Sequence, residues 1–224
     1  MKFNIIIVIV AFFSYFSLTA QNAVEILDNV NKYYSSKYTI HAEFDITLEH
    51  GAENEPSDAR QQESGFKDKF RGKLQMKGEK YKLATDQLIR VCNEVSVWTH
   101  FLDDREVIIT DYEPEEEELS PAKIFSIYKE GYTSELIDKF KCGEGDCFKI
   151  ELKPESPDNP YKSIVLAIDE RNFAIKEAIS VSKNGTRMIF YIRTIDYNID
   201  LADELFTYPT DKLEEEGVEV NDFR

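Results

Sequence analysis

The chain has 224 residues, with 43 acidic and 27 basic side chains and a formal net charge of −16 at pH 7. So negative a balance excludes nucleic acid as a partner unless a strong local basic patch offsets it, and its plain consequence is solubility. With 42% hydrophobic and 12% aromatic residues, the chain is long enough to bury a core as a single domain.

Met1 and Lys2 open a short positive region, Asn4 to Phe16 is almost wholly apolar, and Ser17-Leu18-Thr19-Ala20 is a small-residue exit. This pattern predicts a secretory signal peptide over residues 1–20, cleaved between Ala20 and Gln21. The apolar run is shorter than the roughly 20 residues a spanning helix needs, although an uncleaved anchor is a competing reading. Cleavage leaves 204 residues, 21–224, of net charge −17 once Lys2 is lost. No Cys stands directly after the cleavage point, so the mature chain is not expected to be lipidated there, and the expectation is a soluble exported protein.

Residues 23–37 read as a helix, with Val24, Leu27, Val30 and Tyr34 on one apolar stripe. The next stretch alternates without a break. Tyr38, Ile40, Ala42, Phe44, Ile46 and Leu48 share one face, and Thr39, His41, Glu43, Asp45, Thr47 and Glu49 share the other. Period two of this kind predicts a strand with one dry and one wet side. Residues 51–64 are polar and read as a loop. A second long strand follows, Phe66–Lys77, with Phe66, Phe70, Leu74 and Met76 on its dry side. Asp68 and Gly72 interrupt that side, while Lys67, Lys69, Arg71, Lys73 and Lys77 line the wet one. Strands continue over Lys80–Leu83, Leu88–Cys92, Val95–Phe101 and Arg105–Thr110, separated by turns at Gly78-Glu79, Asn93-Glu94 and Asp103-Asp104.

The pattern then changes. Glu113 to Glu118 is an acidic run, and Ser120-Pro121 carries the residues of a helix start, with Ile124, Phe125 and Tyr128 as its apolar side. A meander of strands follows over Leu136–Lys141, Phe148–Leu152, Ser163–Ile168, Phe173–Val181 and Thr186–Ile195, with Asn184-Gly185 as a hairpin turn. Two short pieces near Phe206 and Val218–Val220 close the chain. Cys142 and Cys147 flank the turn-forming Gly143-Glu144-Gly145-Asp146. In an oxidising compartment they can bridge a hairpin or remain as small buried hydrophobes, and the bridge is favoured. So many antiparallel strands curl rather than lie flat. The expected fold class is α+β, mainly antiparallel β: a half-open barrel of about nine to eleven strands under a helical lid.

Chemistry is sparse. There is no G-x-S-x-G elbow, no H-E-x-x-H and no phosphate-binding glycine loop. Of the three histidines, His41 falls on a wet face, His50 ends a strand, and His100 is expected outside. No enzyme, metal site or cofactor is expected.

Several features together carry a resemblance. They are the Trp98 strand after the Asn93-Glu94 turn, Leu119-Ser120-Pro121 with its helix, and Asn184-Gly185. Phe206-Thr207-Tyr208-Pro209 and Gly217-Val218-Glu219-Val220-Asn221-Asp222 complete the set. With the N-terminal helix, residues 21–224 resemble the LolA family of outer-membrane lipoprotein carriers. The resemblance implies a half-open barrel whose apolar interior receives the acyl chains of lipoproteins. An inner-membrane ABC transporter would hand them over, and an outer-membrane acceptor would take them from a monomeric carrier. This chain departs from the family at Asn93-Glu94, where an Asp-Gly turn is usual, and at Gly78, where a lid-latching Arg would fall.

Under this reading Phe44, Ile46, Leu48, Phe70, Leu74, Met76, Tyr81 and Leu83 line the lipid-binding surface; the competing reading is a filled core. Lys67, Lys69, Arg71 and Lys73 form a docking face for the transporter or anionic head groups, against the alternative of a solvated strand paired with acidic neighbours. The runner-up function is a lipid- or lipoprotein-sensing module on the same half-barrel, as in envelope-stress regulators whose N-terminal domain resembles LolA.

Overall fold

The computed structural model describes residues 22–50, 67–114 and 131–224. Helix α1 spans residues 22–35. The strands are β1 (Thr39–Glu49), β2 (Lys67–Lys77), β3 (Lys80–Thr85), β4 (Leu88–Cys92), β5 (Ser96–Phe101) and β6 (Glu106–Asp111). After them come β7 (Tyr132–Cys142), β8 (Gly145–Pro154), β9 (Tyr161–Asp169), β10 (Ile175–Ser182) and β11 (Arg187–Tyr197). A 3-10 turn at Asp203–Phe206, helix α2 (Thr210–Glu215) and β12 (Glu219–Asp222) end the chain.

All twelve strands form one sheet in the order β12-β6-β5-β4-β3-β2-β1-β11-β10-β9-β8-β7, whose two edges, β12 and β7, leave it unclosed. Every pairing is antiparallel except β12 on β6. The strand count exceeds the nine to eleven expected because β12 is four residues long and acidic, too short to show alternation. The helix expected at Ser120-Pro121 and the signal peptide lie outside the described residues.

The sheet buries both faces, but not equally. On one side α1 presents Ala23, Ile26, Leu27, Val30 and Tyr34 to a cluster that includes Ile40, Met76, Tyr81, Cys92, Ile150 and Ile168. The expected stripe is corrected at one place. Val24 is 48% exposed, and Ala23 and Ile26 complete the inward face instead, because they flank the Leu27–Val30–Tyr34 line at helical spacing. The Tyr34 hydroxyl accepts a hydrogen bond from the Ile175 amide at 3.0 Å, which ties α1 to the start of β10.

On the other side the C-terminal segment lies across the sheet near β3. Leu201 and Phe206 are buried, as are Val91, Val107 and Ile109. Lys77 Nζ donates to the Leu201 carbonyl at 2.9 Å and pairs with Asp203 at 3.0 Å. His100, expected outside, is buried here, its Nδ1 2.6 Å from the Tyr208 hydroxyl. The expectation failed because His100 alternates with Val97 and Thr99 onto the outer face, which a tail distant in sequence then covers.

Glu94 occupies the turn between β4 and β5 at φ 73°. Asn93 Oδ1 accepts from the amides of Val95 and Ser96 at 3.0 and 2.8 Å, so the turn is held by Asn93 while Glu94 bears a conformation that suits glycine. A left-handed side chain costs about 1–2 kcal/mol. Against that, glycine adds about 0.5–1 kcal/mol of unfolded-state freedom. Glu94→Gly is therefore expected to stabilise the protein by up to about 1 kcal/mol in denaturant unfolding. A lower stability would mean that the Glu94 side chain itself supports the turn.

Burial holds the His100 imidazole below its usual pKa of 6.5. As pH falls from 6.5 toward that lower value, the unfolded chain takes up a proton that the folded chain refuses, so stability drops through this window. His100→Gln is expected to flatten the stability profile just below that ordinary value, well above the range where the carboxylates titrate. An unchanged slope there would remove His100 as its source.

Candidate functional site

Directly opposite residues in an antiparallel pair share a face, so the registers define the concave surface. Ile46 faces Phe70 on one side and Phe190 on the other, and Leu48 faces Met188. Leu74 faces Ala42 and Leu83; Met76 faces Ile40 and Tyr81. The eight residues expected to line a site therefore lie on one side of the sheet, the side that carries α1.

They do not all share one environment. Met76 and Tyr81 sit in the packed cluster beneath α1, 4% and 0% exposed. This end is closed further by an aromatic group in which Tyr33 meets Tyr34 and Tyr197 edge to face, with the Lys37 ammonium 4.6 Å above the Tyr33 ring. A pocket of about 360 Å³ opens beside it, between Tyr34, Lys37, Tyr38, Met76 and Gly78. Leu74 and Ile192 are partly buried against the edge of that cluster, and farther along the strands Ile46, Leu48, Phe70, Leu83 and Phe190 are partly buried outside it.

Lengths account for the difference. The eleven residues of β1 and of β2 run roughly 36 Å, while the fourteen residues of α1 span roughly 21 Å. The helix covers the Ile40 end and cannot reach the Leu48 end.

Phe44 stands between the two regions. It is 1% exposed, its ring lies 4.6 Å from that of Phe190, and the far end of the ring sits over Gly72. A Cβ at residue 72 would come within 2.2 Å of Phe44 Cζ. The glycine that interrupts the dry face of β2 is thus the seat of the Phe44 ring.

Arg90 escaped the sequence reading. Its register partners are Leu83 and Thr99, which places a guanidinium on the concave side. Nε donates to the Tyr81 hydroxyl at 3.0 Å and Nη1 to Thr99 Oγ1 at 3.1 Å. The available signal was parity: Arg90 lies two residues from Cys92, on the same side of β4.

The lysine-rich side of β2 faces outward onto carboxylates of β1. Lys67 pairs with Glu49 at 2.8 Å, Arg71 with Asp45 at 3.8 Å and Lys73 with Glu43 at 3.2 Å, while Lys69 stands opposite Thr47. Hydrogen bonding from Lys73 and Lys67 holds Glu43 and Glu49 below the usual carboxylate range. Cys142 and Cys147 are joined across the β7–β8 hairpin, with Cα atoms 5.7 Å apart. Among the described residues no cluster suits a metal ion, and no helix is long and apolar enough to cross a membrane.

No family model matches the chain, and no curated protein does. Among solved structures it is similar to an uncharacterized conserved protein from Thermus thermophilus. The two share a TM-score of 0.54 at 13% identity over 90% of this chain and 99% of the other. That likeness establishes a shared fold. The structural neighbours include LolA superfamily proteins. One, from Nitrosomonas europaea, aligns at 13% identity and a TM-score of 0.40 over 84% of this chain and 98% of its own. A putative outer membrane lipoprotein-sorting protein domain from Vibrio parahaemolyticus aligns at 11% identity and a TM-score of 0.47, covering 87% and 99%.

The contact between Gly72 and Phe44 yields a direct test. Gly72→Ala is expected to cost about 1–3 kcal/mol through overpacking. In a Phe44→Leu background most of that cost should vanish, giving a coupling well above about 0.5 kcal/mol in a double-mutant cycle. Additive effects would mean that the ring does not rest on residue 72.

Proposed function

We propose that the protein is an exported carrier that holds the acyl chains of lipoproteins in the open part of its concave face and moves them from the inner to the outer membrane. The observation that carries this reading is the partly buried apolar floor of Ile46, Leu48, Phe70 and Leu83, with Leu74 at its edge against the cluster beneath α1.

An ordinary core would bury such residues, and a soluble surface would not gather them. Each buried acyl methylene is worth about 0.8 kcal/mol, so a water-soluble carrier must supply a comparable dry surface to draw a chain from a membrane. A wide sheet with one incompletely covered apolar face meets that need. Met76, Tyr81 and Phe44 support the floor from the packed side. Binding without chemistry suits a floor built of aliphatic and aromatic side chains.

In this proposal the protein is a periplasmic monomer released by cleavage after Ala20. It collects cargo from an inner-membrane ABC transporter and delivers it to an outer-membrane acceptor. Lys67, Lys69, Arg71 and Lys73 contribute to a docking face.

The test is equilibrium binding of the mature chain to a fluorescent triacylated lipopeptide. Leu74→Asp and Ile46→Asp replace partly buried side chains, and each is read only as a folded protein with a cooperative unfolding transition. Each is expected to weaken binding by about tenfold or more, since a buried charge in the contact costs upwards of about 1.4 kcal/mol. Wild-type affinity in both folded variants would remove the floor from the site.

A further inference from the structure

We propose that the convex face of β9, β10, β11, β1 and β2 is a docking surface for an anionic lipid membrane. It lies on the opposite side of the sheet from the hollow and names the partner of the docking face, so its test is independent of ligand binding in the hollow.

The registers lay out three rows across this face. The middle row runs Val165, Ile179, Ile189, Thr47 and Lys69. Beside it on one side run Glu177, Tyr191, Asp45 and Arg71; on the other run Val181, Arg187, Glu49 and Lys67. The outer side of an antiparallel sheet is usually polar. Here Val165, Ile179, Val181 and Ile189 form a contiguous half-buried block, and Tyr191 beside them is 50% exposed. The described helices pack elsewhere: α1 on the concave side, α2 against β12 and the 3-10 turn against β3.

Charge identifies the occupant. Glu49 is bridged by both Lys67 and Arg187, at 2.8 and 2.6 Å. Asp45 is flanked by Arg71 and Arg193, at 3.8 and 3.3 Å, and Glu43 by Lys73 and Arg193, both at 3.2 Å. Every carboxylate of β1 is thus shared between two cations, and Lys69 adds another. The three rows hold four cations, Lys67, Lys69, Arg71 and Arg187, against three carboxylates, Asp45, Glu49 and Glu177, a small cationic surplus on a chain whose net charge is −16. The cations keep their heads in water, with the Arg71 side chain 80% exposed and that of Lys73 62% exposed.

Aliphatic groups level with the surface, an exposed tyrosine and long basic side chains at the rim are the combination that suits the headgroup boundary of a bilayer.

Flotation with two vesicle preparations tests the proposal, one of phosphatidylglycerol in phosphatidylcholine and one of phosphatidylcholine alone. The protein is expected to float with the anionic vesicles at low salt, to release at high salt, and to ignore the neutral ones. The double variant Lys69→Glu/Arg71→Glu should lose about tenfold or more in affinity. Tyr191→Ser should weaken binding without altering the charge, and Lys69→Gln serves if the double reversal does not fold. Leu74→Asp should float as the parent does, because the hollow is not involved.

Three results would overturn the proposal. One is equal flotation with neutral vesicles, and a second is loss of flotation in Leu74→Asp alone. The third is a concentration-dependent dimer that disappears in Tyr191→Ser while no vesicle binding is seen, which would assign the face to a second copy of the chain.

Discussion

A sheet with one apolar face has to cover that face, and among the described residues the helix that does so, α1, is shorter than the strands beneath it. The stripe of α1 docks on the Ile40–Tyr81 end and is pinned by the Tyr34–Ile175 hydrogen bond. Strand length exceeds helix length by roughly 15 Å, and the residues in the difference are the half-buried ones. Stability is concentrated at the covered end, where Tyr81, Cys92, Ile150 and Ile168 are fully buried. Exposed apolar floor is confined to the other. The fold separates a part that holds the molecule together from a part that can receive something.

The outer side follows a different logic. Toward β3–β6 it is sealed by the C-terminal segment through Phe206, Leu201, the Lys77–Asp203 pair and the buried His100. Toward β2, β1 and β11 no other described element packs on it, and it carries rows of cations paired with the carboxylates of β1. The negative charge of the chain as a whole conceals this local surplus. Exposed pairs of this kind add little stability, typically under about 1 kcal/mol each. Their arrangement therefore says more about what approaches the surface than about what holds it together.

Much of the fold could be read from the residues because the strands are long and one-sided. The alternation from Ile40 to Leu48 announced β1 and its faces, and Asn184-Gly185 and Gly78-Glu79 marked hairpins that are present. What escaped was set by distant parts of the chain. His100 is buried only because residues about a hundred positions later fold over it. Arg90 reads as an exposed charge until its register with Leu83 places it inside. Helix α2 lacks an apolar stripe, since none of its residues is buried, so no periodicity betrayed it. The division of the expected site into packed and open parts depended on the length of α1 relative to β1. No single residue encodes that comparison.

The central claim is that the uncovered end of the concave face is kept for a guest's hydrocarbon chains. The most direct measurement is to purify the mature protein from the compartment in which it is made, extract it with organic solvent and identify what it carried by mass spectrometry. Acylated peptide recovered in near-stoichiometric amount is the result expected. An extract free of lipid, from protein that also fails to acquire lipid from membranes, would contradict the claim.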